Sequence, residues 1–215
     1  MSGSVTTSVA LPKPLEITVR FLVAGAAVLW LGGVFERAIV ESSLPLVRAV
    51  FEFVDDDFTV LGLDVAHEGA NETLRLKADY SHPIYLEGVG TFIYPMNLDP
   101  RTAGWLQVNL TVGGLLQYGL LMLIVVLAWP ARGIREMLVR LGLSLPLLAV
   151  FLLVAAISTL LAELWNPLHQ DFAPQEFWPL LAWSRFLMGG GGAMLALVIA
   201  GAAIRWSSPY RLTRD

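Results

Sequence analysis

The chain has 215 residues, of which 56% are apolar or aromatic and only 15% are charged, with a mean hydropathy of +0.65. Soluble domains carry about 25% charged residues, so this composition is that of an integral membrane protein and excludes disordered, coiled-coil and collagen-like chains. The net charge of −4 gives no reason to expect a nucleic-acid partner. The absence of cysteine excludes disulfides, thiolate metal sites and thiol nucleophiles.

Four stretches have the roughly 20 mostly apolar residues that a membrane-crossing helix needs. They predict spans over residues 17–35, 110–129, 141–162 and 180–205. The first span has an alternative interpretation as a secretory signal. We interpret it as an uncleaved anchor because no small-x-small cleavage site follows it. The expected fold is therefore an integral membrane protein, mainly α, with four transmembrane helices and a small extracytoplasmic α+β insertion between the first two.

The basic residues predict the orientation. Residues 1–20, 130–141 and 205–215 together hold eight Lys and Arg against three Asp and Glu, whereas residues 36–109 hold five basic and twelve acidic residues. Basic segments stay in the cytoplasm. This predicts cytoplasmic segments at 1–16, 130–140 and 206–215, and extracytoplasmic segments at 36–109 and 163–179, in a bacterial inner membrane.

The insertion 36–109 is too long for a simple connection and should have its own structure. Residues 38–54 show the spacing of an amphipathic helix that lies on the membrane surface and is interrupted or restarted at Pro45. Alternating patterns follow, most clearly at 73–80, and predict a small antiparallel sheet of three or four strands. Such a sheet must bury one face. The 38–54 helix and the membrane surface are the candidates to cover it.

No dense catalytic pattern is present, and no cofactor is expected. The sequence lacks a GxSxG elbow, an SxxK pair and a phosphate-binding glycine loop. Two acidic groups are weak metal candidates: the run Asp55, Asp56 and Asp57, and the set His169, Asp171 and Glu176 in the aromatic, proline-rich segment 163–179. We interpret the first as a solvated helix end and the second as a polar interfacial loop, so no metal site is predicted.

Small residues predict close helix packing in the membrane. The candidates lie on the first span, at Gly25 and Gly32, and on the fourth, at Gly189, Gly192 and Ala196. We expect the fourth span to pack on the first or on a partner helix, and the alternative for Gly189 to Gly192 is a hinge. Glu163 and Arg185 lie near the outer ends of consecutive spans and are expected to form an ion pair, unless Arg185 reaches water or lipid phosphate instead.

The order of these parts resembles the exosortase H-associated membrane proteins. The residues that carry the resemblance are Leu106-Gln107-Val108-Asn109 followed by Leu115-Leu116-Gln117-Tyr118-Gly119-Leu120, then Trp129-Pro130 and three arginines before the third span. Exosortases are membrane transpeptidase-like enzymes with a cysteine nucleophile. Because this chain has no cysteine, the resemblance implies an accessory role without an assigned activity.

The leading functional hypothesis is a non-catalytic accessory or structural subunit of a bacterial inner-membrane complex. Its expected partners are membrane lipid and another membrane or periplasmic protein, in a hetero-oligomer. The alternatives are a component of a small-molecule or ion transporter, and a membrane enzyme that uses the outer aromatic loop. The predicted docking residues are Asp55, Asp56, Asp57, Arg75, Lys77 and Asp79. The competing interpretation is that the insertion only caps the helices.

Cysteine labelling tests this topology directly because the chain has no native cysteine. Single cysteines at Ser2 and Ser208 should react with an impermeant maleimide only after the cytoplasmic side is exposed. A cysteine at Asn71 should react in intact spheroplasts. Labelling of position 71 only from the inside would overturn the predicted orientation.

Overall fold

The computed structural model describes residues 14–69, 71–86, 91–93, 106–172 and 177–207. The elements in chain order are α1 (Pro14–Val54), β1 (Phe58–Glu68), β2 (Asn71–Tyr80), β3 (Ile84–Leu86), β4 (Thr91–Ile93), β5 (Leu106–Thr111), α2 (Val112–Ala128), α3 (Ile134–Phe172), α4 (Pro179–Phe186) and α5 (Gly192–Ser207). A π-helical turn, Leu187–Gly191, joins α4 to α5.

Three helical segments are long and apolar enough to cross a membrane: α1, α3, and the continuous stretch from α4 to α5. The remaining apolar helix, α2, has 17 residues and is shorter than the other three. The protein is thus mainly helical, with a small sheet between the first two apolar helices, as the composition and periodicity predict.

Two of these helices are much longer than a membrane-crossing segment. α1 has 41 residues and α3 has 39. At 1.5 Å per residue each is roughly 60 Å long, about twice the thickness of the hydrocarbon core. The N-terminal half of α1 is largely exposed, as expected for a lipid-facing surface, whereas its C-terminal half buries Val40, Val47 and Phe51.

The long helices differ from the predicted boundaries. α1 runs unbroken through Pro45, so residues 38–54 are the end of the first helix and not a separate surface helix. α3 likewise runs through Pro167 to Phe172, so most of the predicted outer loop 163–179 is helical. A proline inside a helix costs about 3 kcal/mol. In α1 the buried stripe lies on both sides of Pro45, and this continuous burial offsets the cost.

The sheet has three strands in the order β1-β2-β5, all antiparallel, and β3 and β4 form a separate two-stranded hairpin. The predicted alternation at 73–80 is confirmed: Leu74, Leu76 and Ala78 are almost completely buried. The turn between β1 and β2 includes Gly69 at a φ of 64°, a conformation that glycine adopts without strain. β5 continues into α2 with no linker, because Thr111 is followed directly by Val112.

The main hydrophobic core lies between the sheet and the helices. The apolar face of the sheet packs against the C-terminal halves of α1 and α3 and the first turns of α2. The buried residues of this core are Val40, Val47, Phe51, Phe58, Val60, Leu74, Leu76, Ala78, Tyr80, Val108, Leu110, Val112, Leu116, Ile157, Leu160, Leu161, Leu164 and Leu168. Of the two predicted candidates for covering the sheet, residues 38–54 and the membrane surface, the structure shows residues 38–54 in this position. α3 also covers the sheet, which the sequence pattern did not predict.

A second core holds the apolar helices together at the other end of the molecule. Its buried residues are Tyr118, Met122, Val126, Leu148, Ala196 and Ala200. α5 packs on α2 and α3, not on the first helix as expected. α1 packs on the other side of α2, where a Cβ on Gly32 would lie 2.7 Å from Leu120 and one on Gly25 would lie 4.0 Å from Ile124.

The four consecutive glycines combine a kink with a close contact. Gly190 has a φ of 108°, and the chain bends at the π-helical turn. A Cβ on Gly192 would lie 2.7 Å from the ring of Tyr118, whereas one on Gly189 would meet nothing within 4 Å. The Tyr118 hydroxyl donates a hydrogen bond of 2.8 Å to the carbonyl of Leu187. Gly192 and Ala196 are thus packing residues, and Gly189 is exposed.

Two phenylalanines of α1 provide a matched test of the main core. Phe51 is 1% exposed and Phe53 is 88% exposed. Replacing a buried phenylalanine with alanine costs about 3–5 kcal/mol. We expect Phe51→Ala to lower the unfolding temperature in neutral detergent and to make the sheet sensitive to protease.

Phe53→Ala is the control and should leave both the unfolding temperature and the protease sensitivity unchanged. Equal effects of the two substitutions would show that the C-terminal half of α1 does not hold the sheet.

Candidate functional site

The polar face of the sheet carries three of the predicted docking residues. Arg75, Lys77 and Asp79 lie on the central strand β2 and are half-buried. In the strand register Arg75 lies between Asp64 on β1 and Asn109 on β5. The structure therefore brings these three residues to one face, as the alternation predicts, but with less exposure than a docking row would have.

A hydrogen-bond network holds one end of this face. The Nη2 of Arg75 lies 3.3 Å from Oε1 of Glu68, and Nδ2 of Asn109 donates to the same oxygen at 3.0 Å. Gln107 in turn donates to the Oδ1 of Asn109 at 3.2 Å. The Nε of Arg75 is buried without a hydrogen-bond partner among the described residues. The network joins all three strands, so Arg75 has a structural role in the sheet.

The acidic run forms the junction between α1 and β1. The Oδ1 of Asp55 accepts a hydrogen bond from the backbone N–H of Asp57 at 2.9 Å. Asp57 lies 3.2 Å from Nε2 of His82, and its carbonyl accepts from the N–H of Ser81 at 2.8 Å. The Ser81 hydroxyl donates to the carbonyl of Asp56. Of the three residues Asp56 is exposed and the other two are half-buried, so the run is mainly a fixed turn with one outward carboxylate.

Burial raises the pKa of Asp55 above its ordinary value, and the neighbouring charge of Asp57 acts in the same direction. Hydrogen bonds from the backbone of Asp57 and Phe58 and from the Trp165 side chain lower the pKa by less. The half-buried carboxylate therefore binds a proton more readily in the folded protein than in the unfolded chain.

A chain of aromatic side chains links the sheet to the start of α4, which sequence reasoning did not predict. The ring of Phe58 lies 5.5 Å from Tyr80 and 5.1 Å from Trp165. Trp165 is 5.5 Å from Trp178, which stacks on His169 at 5.4 Å. The pKa of Tyr80 is raised by burial and by the charge of Asp79. The many aromatic residues in 163–179 indicated such a cluster, but nothing in the sequence indicated its partners on β1 and β2.

A second group of charges lies at the start of β2, at the same turn end of the sheet as Glu68. Oε1 of Glu72 is 3.2 Å from Nδ1 of His67 and 3.9 Å from Nη1 of Arg37, and its Oε2 is buried without a hydrogen-bond partner among the described residues. Arg37 also bonds Glu41 at 2.6 Å. Glu41 and Glu72 both raise the pKa of Arg37. These contacts tie the sheet to α1 near the middle of the helix.

The structure does not bring Glu163 and Arg185 within ion-pair distance of each other. Within the described residues neither side chain has an ion-pair partner within 4.0 Å. α4 turns Leu181 and Ser184 inward and leaves Arg185 exposed, whereas Glu163 is half-buried on α3. Arg185 lies near the end of α4, whereas Glu163 lies nine residues before the end of α3.

Arg140 is the buried charge that the sequence did not reveal. It is 0% exposed and lies beside the end of α2, where it donates to the carbonyls of Val126 at 3.3 Å and Trp129 at 2.8 Å. It also bonds Glu136 at 2.8 Å and Ser207 at 3.3 Å. An arginine can satisfy the last carbonyls of a helix and its negative dipole end. Arg140 therefore fastens the ends of α2 and α5 to the start of α3.

No group of three or more histidine, aspartate or glutamate side chains comes together as a metal site in the part of the chain that the structure describes. The candidate set at 169–176 includes Glu176, which lies outside the described residues. No family model matches the chain, and neither a curated protein nor a solved structure shows significant similarity to it.

The raised pKa of Asp55 predicts a pH-dependent effect of Asp55→Asn. A carboxylate whose pKa is raised by folding destabilises the protein when ionised, and this destabilisation disappears as the pH falls through the folded-state pKa toward the ordinary value of about 3.9. Asparagine keeps an acceptor for the N–H of Asp57. We expect Asp55→Asn to raise the unfolding temperature at pH 7, with a difference from the unsubstituted protein that shrinks toward pH 4.

Asp56→Asn is the matched control because its side chain is exposed, and it should give no comparable pH-dependent difference. A lower unfolding temperature of Asp55→Asn at pH 7 would contradict the argument. Thermal unfolding across this pH range is the measurement.

Proposed function

We propose that the chain is a non-catalytic accessory or structural subunit of a bacterial inner-membrane complex, and that its three-stranded sheet meets the partner protein. The observation that carries the proposal is the way the sheet is held. Its apolar face is fully used inside the chain, against α1, α2 and α3. Among the described residues, the polar face and the outer edges of β1 and β5 pair with no further strand, and β1 is the longer of the two edge strands.

The edge of β1 supports this role. Among the described residues β1 pairs only with β2, and it extends over 11 residues. A long edge strand is a template for another strand unless something covers it. A register shift between Val60 and Gly62 interrupts the ladder, so the longer regular part runs from Gly62 to Glu68. A partner that adds an extended segment there would use main-chain hydrogen bonds.

Charge indicates what kind of segment fits. Residues 36–109 carry a net charge of −7, from five basic and twelve acidic residues. Asp56 and Asp64, near the start and the middle of the edge, are both exposed. A basic extracytoplasmic segment would be complementary to this surface. The resemblance to exosortase H-associated proteins makes an exosortase one such candidate neighbour.

The proposal includes α2 as a fourth span, with both termini in the cytoplasm. At 17 residues α2 is about 26 Å long, roughly one turn short of a 30 Å hydrocarbon core. Small mismatches of this kind are met by local thinning of the bilayer or by flanking residues. α2 lies between α1 on one side and α3 and α5 on the other, which supports its place in the bundle.

Site-specific photocrosslinking in native cells tests the docking surface. A photoreactive phenylalanine analogue at Thr59 or Asp64 on β1 should give a discrete product with one membrane or periplasmic protein. The same analogue at Asp171, an exposed position on α3 outside the sheet, is the matched control. Asp56→Lys should weaken the product from Thr59 because it removes a carboxylate that attracts a basic partner.

Two outcomes would overturn the docking role. One is the absence of a discrete product from both β1 positions while the protein accumulates normally in the membrane. The other is the same product from Asp171. Either result would favour the capping role, in which the sheet only closes the end of the helices.

A further inference from the structure

The end of the helix bundle opposite the sheet contains an open cavity of about 560 Å³. Its walls are Arg132, Gly133, Arg135, Glu136, Val139 and Ser207. The cavity therefore lies where the start of α3 meets the end of α5. Arg140 is buried beside it and bonds both Glu136 and Ser207.

The cavity has an excess of positive charge. Glu136 is its acidic residue, and both carboxylate oxygens are already engaged: Oε1 with Arg140 at 2.8 Å, and Oε2 with the backbone N–H of Arg132 at 3.0 Å. Two arginines and one glutamate line the cavity, a net charge of +1, and the buried Arg140 beside it pairs with that glutamate. The guanidinium of Arg135 has no hydrogen bond or ion pair within the described residues.

The surroundings indicate the depth of the cavity in the membrane. Trp129 is 49% exposed and Trp206 is 68% exposed, and they precede Arg132 and Ser207 closely in the chain. Exposed tryptophans mark the interfacial layer where lipid headgroups lie. On the same helix as Arg135, the side chains of Ile134, Leu138 and Val139 are exposed and apolar. The cavity thus joins a basic surface at headgroup depth to an apolar surface.

We propose that this cavity binds the phosphate headgroup of an anionic phospholipid, with Arg135 and Arg132 as the phosphate ligands and the exposed apolar side chains of α3 covered by its acyl chains. Arginine donates paired hydrogen bonds that match phosphate geometry. Basic pockets between membrane helices are a known means of binding such headgroups. A soluble phosphate ester shares the headgroup chemistry but would leave the apolar wall uncovered, so we assign the site to a lipid.

Native mass spectrometry of the full chain in neutral detergent tests the site. Phosphatidylglycerol should give a one-to-one adduct, whereas phosphatidylcholine and soluble glycerol 3-phosphate at equal concentration should not. Arg135→Ala should reduce the phosphatidylglycerol-bound fraction about tenfold, the effect of losing a charge-assisted hydrogen bond. Arg132→Ala combined with Arg135→Ala should abolish the adduct, and Arg135→Lys should retain part of it.

Arg205→Ala is the matched control because Arg205 is exposed near the same end of α5 but does not line the cavity. It should leave the adduct intact. An equal loss in Arg205→Ala would show that diffuse surface charge attracts the lipid, and equal binding of glycerol 3-phosphate would show a soluble-anion site. Either result overturns the proposal, as does an adduct that survives the double substitution. Unchanged unfolding temperatures of the variants without lipid ensure that a lost adduct reports on binding.

Discussion

Burial of one face of a small sheet is the constraint on which the rest of the structure depends. Three strands cannot form a stable unit in water unless their apolar face is covered. The chain solves this problem with the helices themselves: α1 and α3 extend about 30 Å beyond what a membrane span requires, and their ends form the missing surface. The sheet therefore depends on the extra length of α1 and α3, which supplies the apolar surface that covers it.

Different interactions stabilise the two ends of the bundle. At the sheet, the contacts are apolar and aromatic, with Phe51, Phe58 and Trp165 near the centre. At the other end, a single buried guanidinium collects carbonyl oxygens from the end of α2 and side-chain oxygens from α3 and α5. A buried arginine without such partners would be costly. The same group that caps one helix therefore fixes the relative position of three.

Structural features that depend on short-range periodicity are predicted well from the sequence. The alternation over 73–80 gives the two faces of β2 correctly. The apolar positions over 38–54 include the buried Val40, Val47 and Phe51, but they also include Leu46 and Val54, which are exposed. The sequence cannot show what these residues meet. The same apolar residues would suit contact with a membrane surface or with a sheet. Because α1 stays continuous at Pro45 through its packing on the sheet, the local sequence does not predict that continuity.

The candidate site shows the same division. Alternation places Arg75, Lys77 and Asp79 on one face, but their partial burial depends on neighbouring strands. Glu163 and Arg185 were expected to pair because both were predicted near the outer ends of consecutive spans. Pairing also depends on the rotation of each helix about its own axis. Arg140 belongs by position to a basic segment, and the carbonyls that surround it become visible only when α2, α3 and α5 are placed together.

The direct passage from β5 into α2 has a mechanical consequence. Thr111 is the last residue of the strand and Val112 the first of the helix, so no flexible segment separates them. A helix that tilts to match a thicker or thinner bilayer moves its own ends. Any tilt of α2 must therefore slide β5 along β2, and the hydrogen bonds between Leu106–Thr111 and Thr73–Ala78 resist that motion. The strand pairing therefore acts as a brace that sets the angle of this short helix in the bundle.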